Sequence, residues 1–339
     1  KDREGSLCWD LDALFEEIKT GMKRCKELGK IPVSMGIDTW AVDYVLLDEK
    51  DQVLGKTYGY RDGRTQGVDE DVYKIISEEE LYSRTGIQKQ SFNTIYQLMA
   101  VKKNNPEHLK AAKNFLMLPD YFHFLLTGQK CSEYTNATST QLINAQTNDW
   151  DRELIERLGY PQEMFLPLSQ PGTLVGSFTK EIEEEVGFSC EVVLPATHDT
   201  GSAVMALPGE GDKNLYISSG TWSLMGIENK TAICTEESRK RNFTNEGGYE
   251  YRYRYLKNIM GLWMIQSVRK ELENKYSFAE LCAMASRRSD FPSRVDVNDP
   301  VFLAPDSMIR AIREMCAKTG HPVPETPDEL AAVVYESLS

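Results

Sequence analysis

The sequence predicts a two-domain α/β protein, and three observations carry that expectation. At roughly 100–200 residues per domain, 339 residues suggest two domains. Short apolar runs that read as buried strands alternate with apolar stripes at helical spacing. The composition shifts at Leu207-Pro208-Gly209-Glu210-Gly211-Asp212, which divides the chain into 1–207 and 208–339.

The elements follow in order. Leu11, Leu14, Phe15, Ile18, Met22, Cys25 and Leu28 recur with a helical period, and Gly29 stands where a C-cap belongs. Residues 33–39 and 42–47 read as strands, Asp48-Glu49-Lys50-Asp51 as a turn, and 52–58 as a third strand. Ser77-Glu78-Glu79-Glu80 has the form of a capping box, opening a helix that ends near Gly86. Residues 93–127 read as mostly helical, interrupted by Pro106 and Pro119. Residues 133–144, rich in Thr and Asn, read as a loop with short strand character. A short helix is expected over 151–159, and strands over 171–178 and 191–195. The second half opens with strand, polar turn and strand over 215–227. A helix is expected over 258–276. Thr326-Pro327-Asp328-Glu329 starts another, which reaches Ser339 without a C-cap, so further C-terminal sequence is expected.

Composition narrows the function. Lys plus Arg number 39 and Asp plus Glu 52, a net charge of −13. That balance argues against nucleic acid and anionic membranes as partners, though one local site can still hold an anionic nucleotide. No apolar run approaches a membrane span, and Lys1-Asp2-Arg3-Glu4-Gly5 is not a signal peptide. The seven cysteines contain no CxxC pair and read as free thiols of a reducing cytosol. Zinc is not expected, because the four histidines stand apart from the cysteines in sequence.

Four segments can carry chemistry. Ala196-Thr197-His198-Asp199-Thr200-Gly201-Ser202-Ala203 links an apolar strand to an apolar helical run. An Asp there can take a proton from a substrate hydroxyl; alternatively Asp199 or Thr200 is only a helix N-cap. Ser218-Ser219-Gly220-Thr221 lies between two strands, as an anion-binding nest with hydroxyls or as an ordinary hairpin turn. It is not a P-loop. Gly36-Ile37-Asp38-Thr39-Trp40-Ala41-Val42-Asp43 sets two carboxylates around an indole. That suits a sugar, or else describes a core Trp between solvated Asp residues. In Lys257-Asn258-Ile259-Met260-Gly261-Leu262-Trp263-Met264-Ile265-Gln266, a helix would turn Asn258 and Gln266 toward one cleft, with the apolar members in the core.

Further segments join these: Phe92-Asn93-Thr94-Ile95-Tyr96-Gln97-Leu98, Leu118-Pro119-Asp120-Tyr121-Phe122, Glu133-Tyr134-Thr135-Asn136-Ala137-Thr138 and Asn245-Glu246-Gly247-Gly248. In this order the set resembles the FGGY family of carbohydrate kinases. The resemblance implies two domains of the actin-like, ribonuclease-H-like type around a central cleft. It implies ATP-dependent phosphorylation of a ketose at its 1-hydroxyl, with L-rhamnulose first and L-fuculose or L-ribulose as alternatives. Asp199 would be the catalytic base, and Ala41, His198, Thr200 and Asn258 would lie against the sugar. Thr221 would meet the ATP phosphates and Gln266 the nucleotide, with Mg²⁺ as the accompanying ion. The family carries Gly where this chain has Ala41. Its opening Asp-x-Gly phosphate hairpin, with a Mg²⁺-associated Asp, and its Gly-rich adenosine motif have no counterpart here. The resemblance is thus to the middle of such a kinase, and a non-catalytic sugar-binding fragment is the reading outside enzymes.

Overall fold

The computed structural model describes residues 5–208 and 214–339. Residues 209–213 of the boundary segment lie outside the described residues. The chain forms two compact units, and neither is continuous in sequence. One comprises Lys1–Asn214 and Ile227–Leu256, the other Leu215–Gly226 and Lys257–Ser339. A single cut between 207 and 208 does not describe the return of Ile227–Leu256 to the first unit.

In the first unit, Leu11–Glu27 is a helix capped by the Asp10 carboxylate, which accepts from Ala13 N–H, and followed by left-handed Gly29. The strand Tyr44–Leu47 is buried on both faces. Tyr44 and Leu46 enter one hydrophobic cluster and Val45 and Leu47 another, which explains its unbroken apolar run. Its antiparallel partner is Asn114–Met117, inside the stretch expected to be mostly helical. Phe115 and Met117 join the first cluster and Leu116 the second, so two-sided burial overrides the helical reading. Helices resume at Leu118–Thr127, with proline in the first turn.

Residues 52–58 do not form the expected strand. Only isolated bridges occur, Leu47 to Val53 and Cys8 to Tyr58, because left-handed Gly55 breaks the extended run. Residues 133–144 contain a helix, Tyr134–Thr138, that their Thr and Asn content conceals. It forms because the Glu133 carboxylate caps the N–H groups of Thr135 and Asn136. The expected strand over 33–39 contracts to Ser34–Met35, which pairs in parallel with the strand Glu191–Val193. The latter pairs on its other edge with Leu174–Ser177. This small sheet sends two chain segments out side by side, and the candidate chemistry lies just beyond them.

The second unit holds the strand Leu215–Ser219 and four long helices: Trp263–Glu271, Phe278–Arg287, Met308–Lys318 and Pro327–Leu338. Met264, Val268, Leu281, Ile312, Leu330 and Val334 fill its core. The last helix opens with the expected reciprocal capping box of Thr326 and Glu329.

Candidate active site

Beyond the small sheet, Thr39 and His198 form a parallel bridge. Thr39 N–H donates to Thr197 O at 2.9 Å, and Asp199 N–H donates to Thr39 O at 2.8 Å. Asp38 and Trp40 are thereby set beside His198, Asp199 and Thr200. The helix Asp199–Met205 starts at Asp199, and its N-cap is His198, which makes no side-chain capping bond. The N-cap alternative for Asp199 or Thr200 therefore fails. Thr200 is buried; Asp199 is exposed, and its Oδ1 accepts from Thr200 N–H at 2.6 Å. Partial desolvation, reinforced by the Asp38 charge, holds the Asp199 carboxyl above its ordinary range. A raised, exposed carboxylate on a helix start is suited to receive a proton.

A second carboxylate braces this segment from behind. Glu133 is fully buried and accepts from Thr135 N–H and Oγ1, Asn136 N–H, and Thr197 N–H and Oγ1, at 2.6–3.1 Å. Burial pushes its carboxyl up, and hydrogen bonds from Thr135, Thr197 and Asn136 oppose that shift. The sequence reading assigned Glu133 no role. Its signal is an acid just before a run of Thr and Asn, legible only as a local cap.

The indole segment corrects another expectation. Asp43 is not solvated: it is buried and accepts from Trp9 Nε1 at 2.7 Å, Trp40 Nε1 at 2.9 Å, Tyr60 N–H at 3.1 Å and Gln97 Nε2 at 3.2 Å. Burial pushes its carboxyl up to about 6, against those donors. Asp43 therefore anchors two indoles, whose ring centroids are 4.2 Å apart. Next to it, Val42 has a left-handed backbone, φ 66°. Such strain in a β-branched residue costs of order 1–3 kcal/mol and requires a determined setting. That setting is Thr94 Oγ1 and Gln97 Nε2 donating to Val42 O at 2.7 and 3.2 Å. Ala41 sits half-buried at this kink.

In the second unit, Gly220 and Thr221 form the turn after Leu215–Ser219. Gly220 N–H donates to Trp222 O at 2.8 Å, so this amide is not part of an open nest. Leu262 N–H donates to Gly220 O at 2.9 Å and Trp263 N–H to Thr221 O at 3.2 Å. Close backbone approach at this turn occurs at Gly261, where an added Cβ would lie 2.6 Å from Trp222 C. The Thr221 side chain is exposed. Asn258 lies on the strand Tyr253–Met260 and Gln266 on the helix Trp263–Glu271, both half-buried. The helix expected over 258–276 begins only at Trp263, after the strand ends at Met260, so helical rotation does not relate these two residues.

Asp120, His123 and Cys131 meet within 4.8 Å, a cluster that sequence spacing concealed. His123 Nε2 already accepts from Ile37 N–H at 2.9 Å, which leaves the ring proton on Nδ1. That ring offers no second lone pair to a metal.

Residues 1–206 match the N-terminal domain, and residues 215–339 the C-terminal domain, of the FGGY family of carbohydrate kinases. A rhamnulokinase of Halalkalibacterium halodurans is 57% identical over 338 residues, covering 100% of this chain and 72% of that protein. A rhamnulokinase of Enterococcus faecalis is 43% identical over 338 residues, covering 99% of this chain and 68% of that protein. Among solved structures, the xylulose kinase of Lactobacillus acidophilus superposes with a TM-score of 0.79 at 17% identity, covering 100% of this chain and 69% of that one. The gluconate kinase of the same organism gives 0.78 at 17% identity, with the same coverage. The fold is therefore the two-domain, actin-like and ribonuclease-H-like fold of sugar kinases, and the chain belongs to the FGGY family of carbohydrate kinases.

Proposed function

We propose that the chain transfers the γ-phosphoryl group of ATP to the 1-hydroxyl of L-rhamnulose, giving L-rhamnulose 1-phosphate and ADP in L-rhamnose catabolism. The observation that carries this reading is Asp199, an exposed carboxylate of raised pKa beside buried His198 and Thr200, in a chain 57% identical to a rhamnulokinase. Asp199 orients the 1-hydroxyl and takes its proton as the oxygen attacks the γ-phosphorus and the bond to ADP breaks. Ala41, His198, Thr200 and Asn258 contact the ketose, while Thr221 and Gln266 serve the nucleotide. Mg²⁺ arrives with ATP as part of the nucleotide substrate and neutralises charge on the transferred group. The seven free cysteines fit a reducing cytoplasm. No described helix is long and apolar enough to cross a membrane.

The test is ADP release with L-rhamnulose, L-fuculose and L-ribulose in parallel. The highest kcat/KM is expected with L-rhamnulose. A higher value with either other ketose refutes the substrate assignment, and ketose binding without ADP release favours the non-catalytic sugar-binding reading over turnover by this chain.

A further inference from the structure

Among the described residues, the largest fully buried side chain is Arg254. Its guanidinium hydrogen-bonds two acceptors, His198 Nδ1 and Gly247 O, and forms an ion pair with Glu246. Nη2 lies 3.0 Å from His198 Nδ1 and 3.2 Å from Gly247 O, Nε lies 3.3 Å from Gly247 O, and Nη1 lies 3.2 Å from Glu246 Oε2. The backbone explains the placement. Thr244–Gly247 runs antiparallel to Tyr253–Met260, with Glu246 opposite Arg254. Gly247 permits this packing, since a Cβ there would stand 2.6 Å from both Thr138 Cγ2 and Tyr134 Cε1. The Asn-Glu-Gly-Gly segment thus has a structural product: a paired, buried guanidinium behind His198.

A guanidinium has N–H groups and no lone pair. The 3.0 Å contact therefore runs one way, with Arg254 donating and His198 Nδ1 accepting. The neutral ring then carries its proton on Nε2, which lies 3.7 Å from Asp199 Oδ1. We propose that Arg254, with Glu246 as counter-charge, is a positioning residue that fixes His198 as a neutral Nε2–H donor to the ketose. This rests on the reading of His198 and Asp199 as sugar-site residues.

Charge points the same way. The groups facing the ring are Arg254, Glu246 at 3.5 Å and Asp199, with Glu133 behind it through Thr135 and Asp38 facing Asp199. Burial first, and the Arg254 charge second, hold His198 well below its ordinary range. An imidazolium here would pair with Asp199 and weaken it as a base. Arg254 and burial keep the ring uncharged.

The test is ¹⁵N NMR of ring-labelled histidine, feasible with four histidines and assigned with H198Q. The Nε2–H form of His198 is expected at pH 7 and still at about pH 5. The kinetic arm uses R254M/E246Q, which removes the guanidinium without stranding its counter-charge. KM for L-rhamnulose is expected to rise about 10-fold, and the acid limb of kcat/KM to move toward 6.5, the ordinary histidine value. R254K should recover part of both. A wild-type ring that is Nδ1–H or imidazolium at pH 7 overturns the proposal whatever the kinetics. An Nε2–H ring with unchanged KM and acid limb in R254M/E246Q overturns the positioning role. Normal turnover of H198Q, with the tautomer as expected, instead overturns the sugar-site reading and the proposal with it.

Discussion

Gly261→Ala probes the Thr221 turn through sterics alone. Gly261 is not left-handed, so conformational freedom is not at issue. The added Cβ would lie 2.6 Å from Trp222 C, 2.7 Å from Gly220 O and 2.7 Å from Ser223 N. Carbon contacts relax near 3.5 Å, so the turn must retreat by about 1 Å. All three atoms are backbone and cannot rotate away. The retreat strains the Leu262 to Gly220 and Trp263 to Thr221 hydrogen bonds. Overpacking costs about 1–3 kcal/mol and a lost hydrogen bond about 1, so the expected loss is about 3 kcal/mol. In a unit of this size each kcal/mol lowers Tm by about 4–8 °C, so calorimetry should show the second unit melting about 15 °C lower. KM for ATP should rise with it, since Thr221 moves. Gly220→Ala is the control: its Cβ would meet only Trp222 O at 3.8 Å, and stability should stay within about 0.5 kcal/mol. A G261A protein whose Tm is unchanged to within about 2 °C, or a G220A protein equally damaged, would refute the steric account.

Three further outcomes follow from the site. Asp199→Asn should lower kcat by at least about 10²-fold while sugar affinity changes less; near-normal turnover removes Asp199 from the base role. Thr221→Val should raise KM for ATP and spare sugar binding measured without nucleotide; the opposite pattern breaks the assignment of Thr221 to the phosphates. Asp43 titrates near 6 in the fold against an ordinary 3.8, so the folded state binds the extra proton between those values. Its contribution to stability therefore falls as pH rises from about 4 to about 6. Asp43→Asn should remove that slope from denaturation midpoints measured across the window, and an unchanged slope counts against the assignment.

Features written in adjacent residues were legible. The caps at Ser77 and Thr326 each bond within three residues of themselves, and each was placed from sequence. The His198-Asp199-Thr200 segment was legible for the same reason: a strand end and a helix start meet there. Features that depend on distant partners were not. Phe115-Leu116-Met117 is apolar at every position, which a buried helix also satisfies; only Tyr44–Leu47, some seventy residues away, makes it a strand. The strand carrying Asn258 is recognisable only through its pairing with other segments, Thr244–Gly247 on one edge and Trp222–Asn229 on the other. Glu133 reaches Thr197 across 64 residues, and Arg254 reaches His198 across 56. No local pattern encodes either contact.

The return of Ile227–Leu256 to the first unit orders events on the ribosome. Chains emerge N-terminal end first, and domains usually consolidate as they emerge. Here the first unit cannot finish when residue 214 appears, because its last strands await residues 227–256. Leu215–Gly226, which belongs to the second unit, must be synthesised and held aside in between. Until Arg254 is translated, His198 and Glu246 lack the partner that they share. A nascent chain stalled before that codon would therefore hold Asp199 and Thr200 but not a finished setting for His198, so maturation of the proposed sugar site is coupled to synthesis of a strand 56 residues downstream.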